Sequence, residues 1–177
     1  LDAITYDPGK SAVKCDPIHI EGGDVLVASK DILLIGLGAR TNSHGVDQIL
    51  KYIKKRKVSR HLIIQELPKE PESFIHLDMV FTFLDHDKVM VYEPVVLKSN
   101  RYLTIHIEVV HGNVEKIEEV KDIPTILGKL GMEVEPVFCG GTKDSYVQDR
   151  EQWHSGANFF ALAPGRVIGH GRNSHTI

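Results

Sequence analysis

Short apolar runs separated by tight polar breaks dominate the chain from residue 18 onward. Residues 24–29 (Asp-Val-Leu-Val-Ala-Ser) and 32–36 (Ile-Leu-Leu-Ile-Gly) flank the break Lys30-Asp31, a pattern that predicts a β-hairpin. Over 43–56 the period changes: Val46, Ile49, Leu50 and Ile53 recur at helical spacing, and the Lys/Arg-rich end suits a helix C-terminus. Residues 61–66 (His-Leu-Ile-Ile-Gln-Glu) then predict a third strand, so the unit is β-β-α-β. The first 17 residues, with Pro8, Gly9 and Pro17, read as an irregular lead-in.

The same pattern returns. Residues 78–84 and 88–93 predict a second hairpin, followed by an insertion of two strands (102–110 and 114–120), a short helix (123–130) and a strand (133–138). A third hairpin is expected over 158–163 and 166–169, turned by Pro164-Gly165. The repeat-like units are thus about 18–67, 75–139 and 156–177. A ββαβ unit has one apolar face that needs a neighbour, which points to copies stacked around an axis. The chain ends where the third unit's helix is expected, so it reads as a piece of a longer chain.

Composition narrows the class. At 177 residues, 42% hydrophobic and 25% charged, the chain is globular rather than disordered. A net charge of −3 offers no basic field for nucleic acid, and Lys54 to Lys57 read as a solvated helix end. No apolar run approaches the ~20 residues of a membrane helix. Two cysteines, Cys15 and Cys139, make no disulfide framework, so a reducing cytoplasmic setting is expected. The ten histidines are scattered and include no His-x-x-x-His pair of the kind a zinc hydrolase uses. No metal is expected.

Each unit is led into its first strand by polar residues: Glu21-Gly-Gly-Asp24, His76-Leu-Asp78 and Gly156-Ala-Asn158. In a pseudo-symmetric ring equivalent strand ends converge, and a pocket holding several acids and a histidine suits a cation. Taken alone, each group has a plainer reading. The glycines at 22 and 23 serve a turn with positive φ. His76 and Asp78 share one face of a strand as a surface ion pair does. Trp153 is a packing residue.

Five segments in order carry a resemblance: residues 20–24 (Ile-Glu-Gly-Gly-Asp), 35–41 (Ile-Gly-Leu-Gly-Ala-Arg-Thr), 76–82 (His-Leu-Asp-Met-Val-Phe-Thr), 138–141 (Phe-Cys-Gly-Gly) and 150–158, with Arg-Glu-Gln-Trp and Gly-Ala-Asn. The chain resembles the arginine deiminase family of guanidino-group-modifying enzymes. That resemblance implies an incomplete part of the pentein fold, a pseudo-fivefold α/β propeller of ββαβ repeats. It implies hydrolysis of L-arginine to L-citrulline and ammonia through a covalent cysteine intermediate, with no metal or organic cofactor. Catalytic roles fall on His76 as general acid/base and on Glu21 and Asp78 as guanidinium-binding acids. Substrate-binding roles fall on Arg40, toward the α-carboxylate, and on Asn158; Asp24 stands with them, or beneath Glu21 as its support.

Two departures qualify this. The family's nucleophilic cysteine lies in a Gly-rich segment near the C-terminus, and another guanidinium-binding aspartate lies in the N-terminal half; neither is present. Cys139 matches a non-nucleophilic segment, and Ala39 stands where an acid often precedes the arginine. The 177 residues alone are therefore expected to be inactive. An incomplete ring exposes faces that a complete one covers, so a homo-oligomer or self-associating piece is expected.

Overall fold

The computed structural model describes residues 17–177, so most of the lead-in, Cys15 included, lies outside the described residues. Strands β1 (Val25–Val27) and β2 (Ile32–Leu37) pair antiparallel, with Leu26 opposite Leu34. Helix α1 (Ser43–Arg56) crosses over, and β3 (Arg60–Glu66) returns parallel to β2, with Ile32 opposite His61. Helix α1 begins where the Asn42 side chain accepts from the Gly45 backbone N–H at 3.0 Å. It ends on Lys54, Lys55 and Arg56, placed against the negative end of the dipole, and on Lys57 in the left-handed region at φ 53°.

A second sheet follows the same plan. Strand β4 (Phe81–Phe83) pairs antiparallel with β5 (Lys88–Val91), and β5 pairs parallel with β8 (Glu135–Phe138). Between β5 and β8 lie α2 (Glu93–Val96), β6 (Thr104–Val110), β7 (Asn113–Val120) and α3 (Ile123–Lys129). The β6–β7 hairpin does not join the sheet that surrounds it in sequence. It adds to β3, which gives the order β1-β2-β3-β6-β7 beside β4-β5-β8. Helix α4 (Ser145–Trp153) then leads to the hairpin of β9 (Phe160–Ala163) and β10 (Arg166–Ile168). Among the described residues the three sheets are open, and they do not close into a ring.

Two apolar clusters divide the interior. Ile35, Leu62, Ile64, Ile107 and Val109 face Val46 and Ile53 of α1. On the opposite face, Leu34 and Ile63 join Val89, Met90 and Val91 of β5 and Ile123, Ile126 and Leu127 of α3. At about 1.5–3 kcal/mol per fully buried aliphatic side chain, the second cluster holds the two sheets together and the first fastens α1 to its sheet. No helix among the described residues is long and apolar enough to cross a membrane.

Two expectations are corrected. Residues 77–79 form a 3-10 turn rather than the start of β4, because the Leu77 N–H is taken by the Asp24 carboxylate at 2.9 Å. The strand-face spacing of His76 and Asp78 therefore does not apply. Trp153 is 58% exposed and is not a packing residue. Helix α4 escaped the hydrophobic pattern because its buried residues are Gln148, Glu151 and Gln152.

A polar relay runs across β3, β6 and β7. His61 Nδ1 and the buried His106 Nε2 are 3.0 Å apart, and His106 Nδ1 lies 3.3 Å from Glu118 Oε1. The carboxylate accepts from His106 Nδ1–H, which leaves His106 Nε2 to accept from His61. Burial first, then the nearby His106, lowers the His61 pKa, against opposing contributions from Glu108 and Asp31. A histidine held neutral by the fold stabilises above its ordinary pKa of about 6.5, and that contribution is lost as pH falls through the lowered folded value. Urea midpoints should therefore fall between pH 7 and pH 5, and His61→Gln should flatten this dependence. An equally steep acid limb in the variant would remove the pair as its source.

Candidate functional site

The residues leading into β1, β4 and β9 meet at one place, and Asp24 is the reason. Its carboxylate is fully buried. One oxygen accepts from the Thr41 hydroxyl at 2.7 Å and the other from the Leu77 backbone N–H at 2.9 Å. The Thr41 hydroxyl in turn accepts the Glu21 backbone N–H at 3.1 Å. One buried acid thus fixes the backbone of Glu21 and of the bend that carries His76. Burial raises the Asp24 pKa, while the hydrogen bonds from Thr41 and Leu77 pull against that rise.

Close packing around Asp24 accounts for two glycines. A Cβ on Gly36 would stand 2.4 Å from Asp24 Oδ1, and one on Gly23 would stand 2.8 Å from the His76 ring. Neither Gly22 nor Gly23 has a positive φ, so the Glu-Gly-Gly-Asp segment is not a left-handed turn. Gly23 lets the imidazole lie against the backbone.

Above this base sits Glu21. His76 Nε2 is 2.7 Å from Glu21 Oε2, and the Arg40 guanidinium approaches Glu21 Oε1 at 3.7 Å. Glu21 and Arg40 are each about half exposed, so these pairs contribute only about 0–1 kcal/mol to stability. Their consequence is orientation: a histidine nitrogen and a guanidinium share one carboxylate that is open to solvent.

Asp78 lies beside this group. Its Oδ1 is buried and has no hydrogen-bond partner among the described residues. Burial raises its pKa, and His76 and the Asn158 amide act in the opposite direction. Asn158 Nδ2 is also 3.4 Å from Met79 Sδ. The Thr82 hydroxyl reaches the Ala157 carbonyl at 2.8 Å and the Asp78 carbonyl at 3.2 Å, tying these two segments together. Glu21, His76, Arg40, Asp78 and Asn158 thus gather around one region, whereas Asp24 lies beneath it with both oxygens engaged. Thr41 received no role from the sequence, although it closes the segment that contains Arg40; a hydroxyl one residue past the arginine was the available signal.

Cys139 is elsewhere and differently placed. It is buried, and burial pushes its thiol up to about 11. The Thr176 hydroxyl opposes this shift and Glu151 adds to it. A thiol in that state is the opposite of an activated nucleophile.

The fold is a mixed α/β arrangement of open sheets flanked by helices. The structure is similar to the amidinotransferase SxtG of the saxitoxin biosynthetic pathway in Microseira wollei, with a TM-score of 0.51 at 14% identity over 87% of this chain and 36% of that one. Such a likeness carries the fold alone. The family model described as "Arginine deiminase" matches residues 4–177, and the chain belongs to the arginine deiminase family. It is 35% identical to the arginine deiminase of Borrelia duttonii over 158 residues and 37% identical to that of Streptococcus agalactiae serotype Ia over 161. These alignments cover 89% of this chain but only 38% of either relative.

With its thiol pushed up to about 11 by burial, Cys139 is overwhelmingly protonated at pH 8. Iodoacetamide should therefore leave Cys139 unmodified in the folded chain and alkylate it rapidly in urea, as read by peptide mass spectrometry. Rapid alkylation of the folded chain would contradict the buried, protonated thiol.

Proposed function

We propose that this chain supplies the guanidinium-binding side of an arginine deiminase active site. The observation that carries the reading is the Asp78 carboxylate, whose buried oxygen has no donor among the described residues, next to the Glu21–His76 pair. A guanidinium is planar and offers five N–H donors in a fixed fork, so it can satisfy Asp78 and Glu21 together with a bidentate geometry that an ammonium lacks. Glu21 already has the Arg40 guanidinium near one oxygen and so accepts this chemistry. In the reading proposed, Arg40 swings to the substrate carboxylate and Asn158 closes the other side.

The reaction is L-arginine plus water to L-citrulline plus ammonia. Two carboxylates fix the guanidinium and concentrate positive charge near its central carbon. A thiolate adds to that carbon, and the C–N bond to the departing nitrogen breaks as His76 donates a proton to that nitrogen, which leaves as ammonia. His76 then deprotonates the water that displaces the thiol and releases citrulline. No metal or organic cofactor is used. Cys139 is buried and held protonated, so the nucleophile comes from outside the described residues. Read this way, the units at about 18–67, 75–139 and 156–177 are neighbouring parts of a pentein ring whose remainder lies elsewhere, and the protein works in the cytoplasm.

The β9–β10 hairpin supports a partner for this surface. Phe160 is 68% and Leu162 60% exposed, and Ile168 stands open beside them. The chain should self-associate at high concentration through this hairpin, as measured by sedimentation equilibrium, and Leu162→Lys should shift it toward monomer. A monomer at every concentration would remove the self-association.

The binding reading has its own test. The chain should bind L-arginine by calorimetry and shift the His76 side-chain resonances, bind citrulline at least tenfold more weakly because the cationic guanidinium is gone, and form no citrulline alone. Asp78→Asn should weaken arginine binding by about tenfold or more, since a charge-assisted hydrogen bond is worth roughly 1.5–3 kcal/mol. Equal affinity for arginine and citrulline, or an unaffected Asp78→Asn, would overturn the assignment. Citrulline formation by the isolated chain would overturn the external nucleophile.

A further inference from the structure

Helix α4 is built inside out. Its buried residues are Gln148, Glu151 and Gln152, while Tyr146 and Trp153 project into solvent. A helix normally docks through an apolar stripe, and burying polar side chains is costly unless each is hydrogen-bonded. Here each one is. Gln148 Nε2 donates to the Gly141 carbonyl. Glu151 accepts from the Thr176 hydroxyl at 2.6 Å, and from the His175 backbone N–H at 3.0 Å. Gln152 Nε2 donates to the Ser73 carbonyl at 2.5 Å and reaches the Met79 carbonyl at 3.4 Å. Apolar contacts tolerate sliding, whereas these bonds specify position. The buried face of α4 therefore holds geometry more than it adds stability.

The Gln152 bonds fall on a particular stretch. Ser73 and Met79 bracket the bend that carries His76 and Asp78, so one amide spans its two ends. The bend contains two 3-10 turns, neither with a side-chain cap. Leu77 is sunk in the apolar core, which anchors the bend without fixing the direction of its ends, and polar anchors are supplied by Asp24 on the Leu77 N–H and Thr82 on the Asp78 carbonyl. Asp24 holds the middle of the bend from the β1 side, and Gln152 holds both ends from the α4 side.

We infer that Gln152 is a positioning residue that sets the placement of His76 and Asp78 for guanidinium binding, through the backbone carbonyls of Ser73 and Met79. The inference rests on the functional reading above. Gln148 provides the control, because it lies on the same helix, is equally buried at 2% exposure, and bonds a carbonyl that does not touch the bend. Gln152→Met and Gln148→Met each remove one buried amide of similar volume, so a merely structural role predicts equal effects.

The test is arginine affinity of the full chain with both variants, next to their thermal midpoints and ligand-free 1H–13C spectra of His76 and Asp78. Gln152→Met should weaken arginine binding by about tenfold or more, since displacement of a positioned group by an ångström can cost up to about a hundredfold. Gln148→Met should stay within twofold of wild type even where its thermal midpoint falls as far. Equal weakening by both variants, or wild-type affinity in Gln152→Met, overturns the inference. If the wild-type chain binds no arginine, the functional reading fails, and the ligand-free spectra decide the positioning separately. Displaced His76 and Asp78 signals in Gln152→Met alone support it, and unmoved signals overturn it.

Discussion

A single carboxylate organises this molecule. Asp24 has no access to water, and it holds two donors that lie far apart in sequence, the Thr41 hydroxyl and the Leu77 amide. Burying a charged group without partners costs several kcal/mol, so the pocket floor is stable only when both donors arrive together. Because Thr41 also takes the Glu21 amide, the fold cannot satisfy Asp24 without setting Glu21 and His76 side by side. The geometry of the candidate site is therefore a by-product of solving a burial problem.

The division of labour between stability and placement follows from this. Apolar clusters on the two faces of the β1-β2-β3 sheet supply cohesion and pin each strand's register. They do not aim side chains at a ligand. That task falls to buried polar contacts: Asp24 under the first hairpin, Gln152 behind the 73–79 bend, and Thr82 between Asp78 and Ala157. The exposed pairs that Glu21 makes with His76 and Arg40 are energetically minor, which leaves Glu21 free to exchange partners.

Much of the fold was legible because its elements are driven by period. The helix over 43–56 has apolar residues on one face, an Asn cap and a basic end, and it forms over that same span. The hairpins around Lys30-Asp31 and Pro164-Gly165 were readable from their turns. Helix α4 was not, since it presents polar side chains inward and offers no apolar stripe to find. The 77–79 turn was hidden for a related reason. Its strand-like sequence is overridden by a side-chain acceptor that arrives from 53 residues away. Of the site, Glu21, His76, Arg40, Asp78 and Asn158 were visible as residue types in ordered motifs. Thr41 and Gln152 were not, because their roles exist only in the contacts they make with backbone groups.

The β6–β7 hairpin has a consequence for how this polypeptide can be divided. It is encoded between β5 and β8, yet it pairs with β3 of the other sheet. Sequence boundaries and spatial boundaries therefore disagree. Cutting after Glu66 would strip β3 of β6 on one side and leave an open row of amides and carbonyls there. Excising 104–120 would do the same while leaving the second sheet's own strand pairs untouched. Neither sheet can be inherited, swapped or expressed as a module without part of the other, so the two are effectively one unit of exchange.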